Sequence, residues 1–121
     1  MANEITMVAG LSASKGGAVI NPGTMTAQQT MAGEDMMQET VPSTTSAALF
    51  TWGGITGVPA AVLIKNLDST NYVEIGGDSG LTVFKLKLLA GKSILITPSS
   101  ATMYHKANTA SCQLLVVAVE A

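Results

Sequence analysis

The chain has no arginine: its six basic residues are all lysines, set against eight acids for a net charge of −2. Arginine supplies the planar fork that grips phosphates and carboxylates in pairs. Without it, and with the lysines scattered, the basic footprint of a nucleic-acid-binding protein is missing. Cys112 is the only cysteine, which excludes an internal disulfide and any zinc site built on several thiolates. His105 is the only histidine. No nucleophile elbow surrounds any serine, and no acid marks His105 as half of a catalytic pair, so no catalytic residue is assigned. No apolar run approaches the roughly 18 residues that cross a bilayer; the longest, Val58 to Ile64, is broken by Pro59. The opening MANEITMVAG has neither a basic region nor a long apolar stretch, so cytoplasmic synthesis without a secretory signal is expected. Charged residues are 12% of the chain, about half the usual ~25%. The surface must therefore be covered by Thr, Ser, Asn, Gly and Ala, or by another protein.

What is present is period-two alternation, the mark of strands with one buried face. Val73 and Ile75 point one way, Tyr72 and Glu74 the other; Phe84, Leu86 and Leu88 share a face opposite Lys85 and Lys87. Gly76 to Gly80 separates the two runs, which predicts a β-hairpin with Phe84 and Leu86 in the core. Further strands are predicted at Glu4–Ala13, Ala18–Ile20, Thr24–Ala32, Met37–Val41 ending at Pro42, and Ala47–Trp52. Ala60–Ile64 reads as a strand buried on both faces. Ser93–Thr97, Met103–Lys106 and Gln113–Glu120 complete the set. Gln113–Glu120 is apolar on both faces, which makes it central in a sheet or pressed on a neighbouring subunit. Roughly eight to ten short strands with turns every 8–12 residues predict an all-β antiparallel sandwich, jelly-roll-like. The 121 residues form one domain, with residues 1–45 as an extended subunit-contacting region.

Candidate chemistry is sparse. Asp68, Asn71, Glu74 and Asp78 are the densest oxygen ligands, but they lack EF-hand spacing. Asp68 to Asn71 reads instead as a turn whose side chains cap its own backbone. No metal or cofactor is assigned. Phe50, Trp52, Tyr72, Phe84 and Tyr104 are expected mainly in the core rather than as sugar platforms. Five of the seven methionines lie between Met1 and Met36. Methionine adapts to irregular surfaces, so Met25, Met31, Met36 and Met37 are the residues expected at a subunit interface.

The blocks EIT-x5-SASK at Glu4–Lys15, TMAGE at Thr30–Glu34, IKNLDSTNYVEIG at Ile64–Gly76, LKLLAGK at Leu86–Lys92 and YHKANTASCQLLVVAVE at Tyr104–Glu120 resemble a family of small structural proteins of tailed bacteriophages. The resemblance implies a place in the virion rather than a reaction. The function expected is that of a non-enzymatic head decoration or cement protein that stabilises the capsid shell. Its partners would be other virion proteins, chiefly the major capsid protein, and further copies of itself, without nucleic acid or membrane. A tail or tail-tip component is the alternative. A carbohydrate-binding module for host adsorption, using Asp68, Tyr72 and Glu74, is the second alternative.

Overall fold

The structure is a computed structural model and describes residues 4–121. Its contacts divide the chain into two compact units, Met1–Ala32 and Gly33–Ala121. Twelve strands and no helix occur among the described residues.

The first unit is a two-stranded antiparallel ribbon. Strand β1 (Ile5–Ala9) pairs with β4 (Met25–Gln29), from Ile5 opposite Gln29 to Ala9 opposite Met25. Between them β2 (Ala13–Lys15) pairs with β3 (Ala18–Ile20). The chain reverses at Gly16 and Gly17, both with positive φ, which glycine adopts without a steric penalty. The predicted strand Glu4–Ala13 is thus interrupted at Gly10–Ser12, and Thr24–Ala32 is shorter than expected. At the open end, the Glu4 carboxylate accepts the backbone N–H of Met31.

The second unit holds eight strands: β5 (Met36–Ser43), β6 (Ala48–Leu49), β7 (Ala61–Asn66), β8 (Val73–Gly76), β9 (Lys85–Leu88), β10 (Ser93–Ile96), β11 (Tyr104–Ala107) and β12 (Cys112–Val119). They form two antiparallel four-stranded sheets, in the orders β10-β7-β12-β5 and β6-β11-β8-β9. The pairings are nested: β8 with β9, β7 with β10, β6 with β11, and β5 with β12. The inward residues of both sheets make one core. Val62, Ile64, Cys112, Leu114, Val116 and Ala118 come from the first sheet; Val73, Ile75, Leu88 and Ala107 come from the second. Phe50, Trp52, Ile55 and Met103 close it from the loops.

Several expectations change. Pro42 does not end β5, which runs on to Ser43, with Pro42 opposite Gln113. β5 is an edge strand, where a residue without an N–H is tolerated on the open side. Ala47–Trp52 contributes only the two residues of β6; Phe50 and Trp52 are core residues of the following loop. β7 is not buried on both faces: Val62 and Ile64 are fully covered, whereas Leu63 is 40% exposed and Lys65 lies open. β12 lies between β7 and β5, the first of the two places that its two apolar faces allowed. Leu114, Val116 and Ala118 are buried, while Leu115, Val117 and Val119 are half-buried.

The hairpin forms, with Val73 opposite Leu88 and Ile75 opposite Leu86. Its loop is longer than expected, because Gly77–Phe84 all lie outside the strands. Leu88 reaches the core, but Leu86 is 37% and Phe84 41% exposed. The cause is position: β9 is an edge strand, and Leu81 fills the space near the hairpin end instead. Leu81 is buried at a φ of 55°, a left-handed conformation that costs a leucine roughly 1–2 kcal/mol. Its Cδ2 and the Phe84 carbonyl oxygen would each lie 2.6 Å from a Cβ at position 76, so only glycine fits there.

The difference between these two leucines is measurable. Leu88→Ala is expected to cost about 2–5 kcal/mol through lost burial and a residual cavity, whereas Leu86→Ala costs about 1 kcal/mol or less. Urea unfolding of the two variants checks this; equal shifts of the midpoint would contradict the assigned depth of β9.

Candidate interaction surface

The carboxylates that looked most like ligands serve the backbone. Asp68 Oδ2 accepts the N–H groups of Asn71 at 2.6 Å and Thr70 at 2.9 Å. These bonds hold the Asp68 carboxyl below its ordinary pKa, the Asn71 bond contributing most. The capped turn expected at Asp68–Asn71 is therefore present. Asp78 accepts the Thr82 hydroxyl and the N–H groups of Thr82 and Val83. Its pKa is lowered, chiefly by the Thr82 side chain. Glu74 pairs instead with Lys85 at 3.4 Å. Among the described residues, no three acidic, histidine or cysteine side chains converge as a metal site.

Glu120 does the same work across a longer distance in sequence. Its two carboxylate oxygens accept the N–H groups of Glu34, Asp35 and Thr56. The Thr56 bond is the main reason its pKa is lowered. Backbone bonds from Gly33 to Ala121 and from Glu120 to Asp35 complete the clamp. A Cβ on Gly33 would collide with the Glu120 carboxylate, so the glycine is what lets the carboxylate reach the chain at the start of this unit.

Buried polar groups tie the two sheets and their loops together. Ser43 in β5 and His105 in β11 are both buried, with Ser43 Oγ and His105 Nδ1 2.8 Å apart. The His105 ring lies 4.6 Å from the Phe50 ring, and Phe50 stacks on Trp52 at 5.5 Å. Trp52 Nε1 donates to the Ala101 carbonyl at 2.7 Å. Asn66, fully buried, donates to the Asn71 and Leu88 carbonyls and accepts the Asp68 N–H. It joins the end of β7 to the turn before β8 and to the end of β9. The buried Cys112 thiol has a raised pKa, from desolvation and then from the Asp68 charge, which disfavours the reactive thiolate.

The aromatic residues are similarly engaged. Phe50 and Trp52 are buried. The Tyr72 ring carries Lys87 Nζ 4.3 Å from its centroid, so Tyr72, Glu74, Lys85 and Lys87 form one charged patch on the outer side of the hairpin. Asp68, Tyr72 and Glu74 therefore already have partners within the chain.

One open stretch of surface is apolar. The outward residues of the β10-β7-β12-β5 sheet lie side by side through the register. Leu95 is opposite Leu63, Leu63 opposite Val117, and the next row places Ala61, Val119 and Met36 together. Leu63 is 40% and Met36 66% exposed, and Leu95, Val117 and Val119 are half-buried. This row forms the candidate interaction surface of the second unit.

The four methionines expected at an interface divide between the two units. Met25 and Met31 belong to the first unit, Met36 and Met37 to the second. Met25 is exposed on β4 and Met31 half-buried beyond it. Met36 and Met37 face opposite sides of β5: Met36 lies beside Val119 on the outer surface, and Met37 beside Ala118 packs against the core. Strand alternation could have separated this last pair; the contributions of Leu63, Leu95 and Val117 depended on a register that single strands do not reveal.

No protein-family model, curated protein or solved structure matches the chain.

The single histidine makes acid sensitivity assignable. Burial lowers the pKa of His105 below its ordinary 6.5. The unfolded chain therefore takes up a proton that the native state refuses, and stability falls as pH drops below about 6.5 toward the lowered folded value. The carboxylates of Asp68, Asp78 and Glu120 are shifted down, so their contribution is lost only at lower pH, as they protonate below their ordinary values. Chemical unfolding between pH 7 and pH 5 is expected to show a decline that His105→Gln removes. An unchanged slope in the variant would contradict a buried neutral imidazole.

Proposed function

We propose that this chain is a non-enzymatic structural protein of a tailed-phage particle, a head decoration or cement protein built on a jelly-roll sandwich. The nested pairing of eight strands in two sheets supports the jelly-roll reading. That architecture is used by viral shell proteins as well as by lectins. The observation that carries the proposal is the apolar row of Leu95, Leu63, Val117, Val119 and Met36 across one sheet. Such a face is suited to a protein partner, and the major capsid protein is the partner proposed.

The polar chemistry agrees with a mechanical role. Asp68, Asp78 and Glu120 order loops, and His105 is bound to Ser43 within the core. A tail component would use the same apolar face at lower copy number. The carbohydrate reading gains no support from Phe50 and Trp52, which stack on one another in the core.

The test is to add the purified chain to particles assembled without it and locate it by electron microscopy, with copy number from quantitative mass spectrometry. Many copies on the shell lattice, lost with Leu63→Glu while the variant remains folded, are expected. A few copies confined to the tail would replace the decoration role with the tail role. Failure to bind any part of the particle would overturn the proposal.

A further inference from the structure

The core-facing residues of β9 lack a neighbour on one side. Leu86 and Leu88 share a face opposite Lys85 and Lys87; Leu88 is buried, yet Leu86 is 37% exposed. Phe84, one step earlier in the same phase, is 41% exposed. Its ring packs over Gly77, where a Cβ would stand 3.0 Å from Phe84 Cε1. β10 is the edge of the other sheet, and residues 89–92 join it directly to β9. Its Ile94 and Ile96 pack against the core but are only half-buried. The sandwich is thus least covered along the side formed by these two edges.

The outer side of β9 is basic. Lys106, Glu74 and Lys87 stand side by side across β11, β8 and β9, with Lys85 in the next row. Glu74, the one acid among them, is paired with Lys85. Asp68 and Asp78, before and after β8, are bonded to the backbone of their own loops.

We infer that the free edge of β9 accepts an extended segment of another protein, one in which apolar residues alternate with acids. Residues opposite one another in a ladder share a face. An added strand therefore sets its apolar residues against Phe84 and Leu86 and its carboxylates beside Lys85 and Lys87. Backbone bonds to the open edge hold such a strand, and its alternation selects it.

Charge selects the occupant. Lysines on an edge strand keep like strands away, and a second copy's β9 would bring lysine against lysine. The same lysines attract a strand with carboxylates at alternate positions. This chain contains no such strand, because no two of its acids stand two residues apart. The segment therefore belongs to a different protein. The other edges are less suited to it. β6 has two residues, β5 carries Glu39 and Pro42, and β10 has no charged residue to choose an acidic strand. This inference is independent of where the protein sits in a particle.

Fluorescence anisotropy with a labelled synthetic peptide tests it. The probe alternates glutamate with valine over about seven residues, enough to span Phe84 to Leu88 at ordinary strand rise. Saturable binding to the full chain is expected, with a Kd on the order of 100 μM for so short a contact. A peptide of the same composition with its glutamates grouped at one end should bind at least about tenfold more weakly. Lys85→Glu combined with Lys87→Glu should abolish binding of the glutamate probe and admit a probe that alternates lysine with valine; circular dichroism checks that the variant keeps its strands. Hydrogen exchange should show slowed amides in β9 when the glutamate probe is bound, and no change in β6. No binding up to about 1 mM, equal binding of the grouped peptide, indifference to the double charge reversal, or protection at a different edge would each overturn the inference. So would self-association that protects β9 without any peptide, which would assign the edge to a second copy.

Discussion

The second unit depends on β12 being hydrogen-bonded along both sides. It pairs with β5 from Cys112 to Val119 and with β7 from Leu114 to Val119. One of its faces supplies Leu114, Val116 and Ala118 to the core at full burial. A strand in that position must satisfy its backbone with two neighbours while its side chains fill two layers. Its sequence, CQLLVVAV, does both: Cys112, Leu114, Val116 and Ala118 face inward, and from Leu115 onward the outward set, Leu115, Val117 and Val119, is apolar as well. β5 and β7 flank β12 on its two sides, and between them the chain crosses to the other sheet at β6. The inward polar residues are placed where the sheets meet their loops. Ser43 meets His105 across the core, and Asn66 gathers three backbone groups at one end.

Scarcity of charge has a structural consequence. With so few acids, the loops of the second unit use three of them as backbone acceptors: Asp68 in the turn before β8, Asp78 in the hairpin loop, and Glu120 between the residues after Ala32 and the loop at Thr56. Charge-assisted bonds of this kind are stronger than neutral ones, which lets long irregular connections hold a defined path. The same use leaves little charge for the outer face of the β10-β7-β12-β5 sheet, where apolar side chains stay open to a partner. Order in the loops and stickiness of the sheet are thus two results of one composition.

The hairpin, the central position of β12 and the Asp68 turn were legible because alternation and turn chemistry are local. The errors were also physical. Pro42 read as a stop because an edge position cannot be recognised from one strand alone. Ala60–Ile64 read as doubly buried because Leu63 is apolar, although it faces outward. Phe84 and Leu86 read as core because parity gives the side of a sheet but not the depth; β9 being an edge strand and Leu81 filling the space decide the rest. The His105–Ser43 bond, the Asn66 hub and the Glu120 clamp on Glu34 and Asp35 had no sequence signal. The first and last join residues 62 and more than 80 positions apart, and each uses a residue type common in ordinary loops and strands.

Native-state hydrogen exchange measures the dependence on β12 directly. The amides of Leu114 to Ala118 should exchange only through global unfolding, with the free energy found by denaturant titration. Amides of the edge strands β6 and β9 should open earlier, through local fluctuations. If the β12 amides exchanged as fast as those of β6 and β9, the unit would not be organised around that strand.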